Sequence, residues 1–129
     1  GDQKSMIQLR SILTSADNSG AKRLQVIHVF GGSKRRFGFI GDVLKCVVKD
    51  ASPTGQVKSG EMIFVVLVRA RKETKRKDSS YVRFSDNAGV VIASKTDKNP
   101  IGTRIFGPIA REIRDKGFAK IASMAIEVV

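Results

Sequence analysis

The chain has 129 residues, in which 24 lysines and arginines face 12 aspartates and glutamates, for a formal net charge of +12. This length suits one domain with a modest core, and 41% hydrophobic residues exclude a chain that is disordered by composition. Such an excess of positive charge attracts polyanions, because lysine and arginine bind phosphate without reading sequence. Nucleic acid is the favoured partner. An anionic membrane surface is the weaker alternative, since no long amphipathic helix carries the charge.

The single cysteine, Cys46, excludes an intrachain disulfide and a cysteine-based metal cluster, and it suits a reducing compartment. No apolar run is long enough to span a membrane, and no signal peptide is visible. Met6 resembles a natural start. We therefore interpret residues 1–5 as an N-terminal extension or processing remnant and residues 6–129 as one domain.

Five or six short apolar runs with β-type composition predict strands, at 6–14, 23–30, 43–49, 62–68 and 89–93. Residues that favour turns separate them, as in the Asp17 to Gly20 stretch. Within the second run, Leu24, Val26, His28 and Phe30 are expected to share one face. The close spacing leaves no room for crossover helices. It predicts a mainly β fold, a small closed five-stranded antiparallel barrel without exposed edges.

Helical spacing appears only near the end of the chain. Gly107 and Pro108 are expected to open a helix, because proline is tolerated at the first helical position, and Gly117 is expected to end it. Residues 118–124 suggest a second short helix. The last residues, 126–129, are expected to return to the barrel as an edge strand.

The segment between the apolar runs 65–68 and 89–92 is strongly cationic, and between Arg69 and Arg83 only Glu73 and Asp78 oppose its charge. It cannot be buried, so we predict a β-ribbon that projects toward a polyanion. A second cationic cluster is Lys34-Arg35-Arg36. Isolated Lys45, Lys49 and Lys58 are interpreted as ordinary solvated side chains.

The residues that could support catalysis have simpler explanations. His28, the only histidine, has no evident nucleophile beside it and is interpreted as a structural residue. A hydrolase that uses His28 would show a turnover abolished by His28→Ala, and we expect none. Cys46 is interpreted as a small core residue. Side-chain bonding in turns accounts for the carboxylates Asp17, Asp42, Asp86 and Asp97.

Residues 36–40 resemble the central RNA-stacking motif of the RNA-recognition-motif family, but the match is incomplete and the family's two helices have no counterpart here. We expect Phe39 to pack in the barrel and leave Phe37 open as a base or sugar contact. An alternative function is a free-standing barrel that binds single-stranded RNA through Phe37, Phe39 and Tyr81 as stacking platforms.

An ordered set of strings is far more specific than any of these features. The chain closely resembles the universal large-subunit ribosomal protein fourteen family, of bacterial or organellar type, in the following segments: Ala16-Asp17-Asn18-Ser19-Gly20-Ala21, Gly41-Asp42, residues 78–84 with Asn87-Ala88, residues 102–108, and Arg111-Glu112-Ile113-Arg114. The resemblance covers essentially residues 6–129.

This resemblance implies a five-stranded barrel, a projecting ribbon and one or two short C-terminal helices. It implies a structural, non-enzymatic role in the large ribosomal subunit of a bacterial cytoplasm, mitochondrion or plastid, without cofactor, metal or membrane. The expected partners are large-subunit rRNA, small-subunit rRNA at a bridge, the neighbouring large-subunit protein nineteen and a ribosome-silencing factor. By matching positions, the resemblance implies that Thr103, Arg104 and Lys120 contact the silencing factor or a neighbouring protein.

The charge clusters and the resemblance together give a set of expected rRNA-binding residues: Lys22, Arg23, Lys34, Arg35, Arg36, Arg69, Arg71, Lys72, Lys75, Arg76, Lys77, Arg83 and Arg104. Two positions depart from the family pattern. Asp78-Ser79 stands where Asp-Gly is usual at the ribbon turn, and serine tolerates positive φ less well than glycine. Gly89 stands where many members carry a larger residue.

Overall fold

A computed structural model of the chain describes residues 7–8, 10–30 and 37–129. Nine strands and two short helices occur in this part of the chain. The strands are β1 (Ile7–Gln8), β2 (Ile12–Ser15), β3 (Ala21–Val29), β4 (Phe37–Gly38), β5 (Val43–Ala51), β6 (Met62–Arg69), β7 (Thr74–Lys75), β8 (Tyr81–Val82) and β9 (Ala88–Ile92). The helices are α1 (Glu112–Asp115) and α2 (Ala119–Met124).

Five strands close into a barrel in the order β2-β3-β5-β6-β9, which confirms the predicted barrel. Four neighbouring pairs are antiparallel. The closing pair is parallel, with Thr14 opposite Ala88 and Ser15 opposite Gly89, and here the expected antiparallel pairing is corrected. The reason is geometric, because an odd number of strands cannot alternate in direction all the way around a closed ring.

The barrel interior is formed by alternate residues of each strand, as the period of two requires. In β5 the inward residues are Leu44, Cys46 and Val48. In β3 the alternation fails after Val26, where the register with β5 shifts before His28. A bulge of this kind changes the face on which the following residues lie. His28 is therefore exposed, and its expected place on the buried face with Val26 is wrong.

Strand β6 is buried on both faces, which explains its unbroken apolar sequence. Val65 and Leu67 point into the barrel, whereas Val66 and Val68 belong to a second core cluster on the other side of the strand. That second cluster also contains Ile113, Phe118 and other residues of the C-terminal part. The helices thus cover one wall of the barrel.

The C-terminal part differs from prediction at its start. Residues 108–110 are not helical, since Ile109 forms a parallel bridge with Val128 and donates its N–H to the carbonyl oxygen of Glu127 at 3.0 Å. The predicted helix start at Pro108 is therefore wrong, and α1 begins at Glu112. The expected return of residues 126–129 to the barrel is wrong for the same reason, whereas the second helix is confirmed as α2.

Gly89 lies in β9 opposite Leu67 of β6. A Cβ atom at this position would be 2.2 Å from Cγ1 of Val65, a wholly buried side chain. The space that a larger residue would occupy is thus already filled by Val65. Among the described residues, no helix is both long and apolar enough to cross a membrane.

Candidate nucleic-acid interface

The predicted ribbon consists of β7 and β8, and its two faces differ sharply. The register places Lys75 opposite Tyr81, and directly opposed residues of an antiparallel pair point to the same side. Both side chains are exposed, as are Lys77 and Arg83, and Tyr81 is 51% exposed. We call this the outer face of the ribbon. Partly buried side chains alternate with them and form the inner face: Thr74, Arg76, Val82 and Phe84.

The inner face is held to the C-terminal part by ion pairs. Nη2 of Arg76 donates to Oε1 of Glu112 at 3.2 Å and to the main-chain oxygen of Val129 at 2.6 Å. Its Nε lies 2.9 Å from Oε2 of Glu112, although without the angle of a hydrogen bond. At the turn, Arg111 donates to Asp78 at 3.0 Å. Arg76, expected at an RNA surface, is therefore committed to an internal ion pair.

The turn of the ribbon is stabilised by Asp78. Its Oδ1 accepts the main-chain N–H of Ser80 at 3.0 Å and the Ser80 hydroxyl at 2.5 Å. These two hydrogen bonds, followed by the nearby charge of Arg111, lower the pKa of the Asp78 carboxyl to about 2. Ser79 adopts φ of +72°, the conformation that the usual glycine would adopt without strain. The turn is thus formed with Ser79 in a left-handed conformation, at the position where the family usually has glycine.

Arg69 lies at the base of the ribbon and is only 8% exposed. Its Nε donates to Oδ1 of Asp86 at 2.8 Å and its Nη2 donates to Oδ2 at 3.2 Å. Its Nη1 donates to the carbonyl oxygens of Phe106 at 2.8 Å and Pro108 at 2.9 Å. This guanidinium cross-links β6 to the C-terminal part and cannot face RNA. Asp86, interpreted from sequence as a turn residue, is its counter-ion.

The other expected rRNA-binding residues in the described part of the chain are exposed and lie in none of its ion pairs. They fall into three places. Arg71, Lys72, Lys75, Lys77 and Arg83 belong to the ribbon and its base, Lys22 and Arg23 lie on β3, and Arg104 lies near the C-terminal part. The cluster Lys34-Arg35-Arg36 and the Phe37 side chain lie outside the described residues.

Asp17 anchors a polar loop beside the barrel seam. Although buried, it accepts the hydroxyls of Ser15 at 2.6 Å and Ser19 at 2.7 Å through Oδ1. Its Oδ2 accepts the main-chain N–H of Val91 at 2.9 Å. The carboxylate is thus satisfied by local and cross-strand donors, as its interpretation as a turn residue requires.

The next residue, Asn18, reaches the expected protein-partner site. Its Oδ1 accepts the main-chain N–H groups of Thr103 at 2.8 Å and Arg104 at 3.0 Å. Its Nδ2 donates to the Thr103 hydroxyl at 2.9 Å. One amide therefore fixes two exposed residues that are far away in sequence. Lys120 is also exposed, on α2.

The remaining predictions on reactive groups have clear outcomes. Cys46 is wholly buried, and burial raises the pKa of its thiol to about 12, so its interpretation as a core residue is confirmed. Asp42 accepts the Phe39 N–H at 2.7 Å and Asp97 accepts the Asn99 N–H at 3.0 Å, which confirms both as turn residues. The described residues contain no group of three or more metal-ligating side chains.

Two exposed aromatic side chains were not anticipated from sequence. Phe39 is 39% exposed, and its neighbour Ile40 is buried instead, so the expected packing of Phe39 in the barrel is wrong. Phe106 is 51% exposed and was not singled out. Phe106 follows the buried Ile105, and this alternation could have indicated that its side chain is exposed. A single apolar residue in a loop is, however, weak evidence for a functional surface.

A closed barrel that presents cations on one face of a ribbon, and satisfies the cations of the other face internally, is the arrangement expected of a protein that binds a polyanion. Residues 6–129 match the family model described as Ribosomal protein L14p/L23e, and the chain belongs to this family. It is thus a structural, non-enzymatic component of the large ribosomal subunit, with rRNA and the ribosome as its partners. This confirms the predicted family and is consistent with the bacterial or organellar type.

Proposed function

We propose that the chain binds large-subunit rRNA at the subunit interface, chiefly through the outer face of its ribbon, and contributes to bridges with small-subunit rRNA. The observation that carries this proposal is the contrast between the faces: Lys75, Lys77 and Arg83 are exposed and lie outside the described ion pairs, whereas Arg76 is neutralised by Glu112. Uncompensated cations release counterions when they meet phosphates, which makes binding favourable and dependent on salt.

Tyr81 supports contact with folded RNA rather than with phosphates alone. It lies opposite Lys75 on the outer face and is 51% exposed. An aromatic ring beside a cation can pack against a ribose or an unpaired base while the ammonium group meets the backbone. Arg71 and Lys72 at the base of the ribbon would extend the contact. Additional phosphate contacts are assigned to Lys22, Arg23, Lys34, Arg35, Arg36 and Arg104.

We further propose two protein contacts. Within the described residues β7 and β8 pair only with each other, so each ribbon strand has an edge open to strand addition by the neighbouring large-subunit protein nineteen. A ribosome-silencing factor is proposed to dock on Thr103, Arg104 and Lys120, all exposed. The compartment proposed is a bacterial cytoplasm or an organelle interior, with residues 6–129 as one domain after an extension at 1–5.

A salt wash of reconstituted large subunits tests the RNA contact. Lys75→Ala/Lys77→Ala removes two positive charges from the ribbon, and Lys49→Ala/Lys58→Ala removes two from exposed positions to which no role is assigned. Each lost phosphate contact reduces the slope of log affinity against log salt by about 0.9. We expect the ribbon variant to leave the subunit at lower salt than wild type and the control to remain. Equal retention of both would contradict the proposal.

The exposure of Tyr81 and Phe39 also keeps the single-stranded RNA binder as a second candidate. Tyr81→Ala distinguishes the two functions. The probe is an oligouridine of about ten nucleotides, roughly the length of strand that one small β-barrel binds. A large loss of oligouridine affinity would favour the second candidate. A defect confined to incorporation into large subunits would favour the ribosomal contact.

A further inference from the structure

Residues 103–106 form a short extended segment beside the polar loop of Asp17 and Asn18. Ile105 is buried and forms an antiparallel bridge with Asp17. In extended chain, residues two apart point to the same side, so Arg104 and Phe106 both face away from the core. Both are exposed. The segment thus presents a guanidinium and a phenyl ring together.

The backbone of this segment is fixed at each end. The Phe106 N–H donates to the carbonyl oxygen of Ala16 at 2.6 Å, and the Phe106 carbonyl oxygen accepts the buried Arg69 guanidinium at 2.8 Å. At the other end, Asn18 accepts the N–H groups of Thr103 and Arg104. Because the main chain is already ordered, the segment itself loses only side-chain rotamer freedom on binding.

We infer that Phe106 is the aromatic anchor of a protein-docking surface shared with Arg104, and that Asn18 positions this surface. The occupant is a protein whose apolar pocket receives the phenyl ring and whose rim carries carboxylates for Arg104, which lies in none of the described ion pairs. The inference deepens the proposed partner site at Thr103, Arg104 and Lys120 and rests on it.

The charge pattern favours protein over RNA at this surface. The ribbon concentrates Lys75, Lys77 and Arg83 on one face, as a phosphate-binding surface requires. Between residues 101 and 107, Arg104 is the only charged residue. Aromatic residues and arginine are enriched in the cores of protein interfaces, and a few such residues supply most of the binding energy.

Binding of a purified ribosome-silencing factor to large subunits tests the anchor. Subunits that carry Phe106→Ala are expected to bind the factor at least tenfold more weakly than wild type, and Phe106→Leu is expected to be intermediate. Met62→Ala is the matched control, because Met62 is an exposed apolar side chain, at 62%, to which no role is assigned, and it should leave factor binding unchanged. Incorporation of each variant into subunits reports that it has folded.

The outcomes separate the inference from the function on which it rests. If wild-type subunits bind the factor and Phe106→Ala subunits bind it equally well, the anchor is refuted and the partner site stands. If wild-type subunits do not bind the factor, both the partner site and the anchor are refuted. With p-benzoylphenylalanine at position 106, a crosslink to the factor supports the anchor, and a crosslink to rRNA alone overturns it.

The role of Asn18 has its own readout. Asn18→Ala removes three hydrogen bonds to the segment, whereas Asn18→Asp keeps an acceptor for the N–H groups of Thr103 and Arg104. Amide hydrogen exchange at these two residues should accelerate at least tenfold in Asn18→Ala and remain slow in Asn18→Asp, with factor affinity following the same order. Equal exchange in both variants and wild type would overturn the positioning role.

Discussion

The barrel and the ribbon are stabilised by different forces. The barrel closes around an apolar interior in which Leu24, Leu44 and Leu67 are wholly buried. The ribbon has only two residue pairs and is held to the C-terminal part by the Arg76–Glu112 and Arg111–Asp78 contacts. An isolated two-stranded hairpin is marginal in water, so it needs such support. The comparison shows that one cationic segment contains both cations paired inside the protein and exposed cations that lie in none of the described ion pairs.

Whether a cation of the ribbon is paired or exposed follows the alternation of side chains along the strand. Arg76 points inward and meets a carboxylate, whereas its neighbours Lys75 and Lys77 point outward. Arg69, still within the barrel, is bonded on all three of its nitrogens. The uncompensated charge is therefore concentrated on one face, where a polyanion can neutralise it. Four experiments test this contrast.

Removal of Arg69 should have the largest effect. Arg69→Ala leaves Oδ1 of Asp86 and two carbonyl oxygens without their donor, and loss of one partner of a buried ion pair costs about 3–5 kcal/mol. Because Asp86 is partly exposed, we expect about 3 kcal/mol less stability, measured by urea unfolding. Arg83→Ala on the outer face should change stability by less than about 0.5 kcal/mol. Equal effects would contradict the distinction between cations paired inside the protein and exposed cations.

Gly89→Ala probes the barrel rather than the ribbon. Its Cβ would overlap Cγ1 of Val65, and overpacking of a dense core costs about 1–3 kcal/mol. We expect a loss of about 2 kcal/mol in thermal or urea unfolding. Adding Val65→Ala should make the double variant more stable than the sum of the single losses predicts, since the methyl then has space. Strict additivity would contradict this packing.

Ser79→Gly should stabilise the ribbon. A left-handed conformation costs an L-residue about 1–2 kcal/mol, and the greater freedom of unfolded glycine offsets about 0.5–1 kcal/mol of that gain. The net effect is an increase of about 0.5 kcal/mol in the free energy of unfolding. Ser59→Gly, at another exposed serine without positive φ, should instead destabilise the protein. A destabilised Ser79→Gly variant would show that the turn gains from its serine.

The pH dependence of the ribbon turn should be the smallest effect. The pKa of Asp78 is lowered from 3.8 to about 2, so its stabilising contribution is fully present above pH 3.8 and is lost as the pH falls through 2. An NMR titration of the Asp78 carboxyl measures this directly. Ser80→Ala, which removes the hydroxyl bond and keeps the main-chain N–H bond, should raise the pKa more than Arg111→Ala, because the hydroxyl bond is the largest single cause. The reverse order would mean that the ion pair dominates the turn.

The architecture and the family could be predicted from the amino-acid sequence alone. Alternation of apolar and polar residues located the barrel strands, and the run from Arg69 to Arg83 located the ribbon, because both depend on local periodicity and local charge. The ordered strings identified the family. Even the parallel closing pair follows from five strands in a closed ring, although the prediction did not draw that consequence.

Only the tertiary structure decided which charges are available to a partner. Arg69 and Arg76 are neutralised by Asp86 and Glu112, which are 17 and 36 residues away in the chain. The bulge in β3 depends on its pairing with β5, and the Asn18 contact joins residues 85 positions apart. Sequence patterns report the immediate neighbours of a residue, whereas the partner of a buried ion or amide is set by the way distant segments pack.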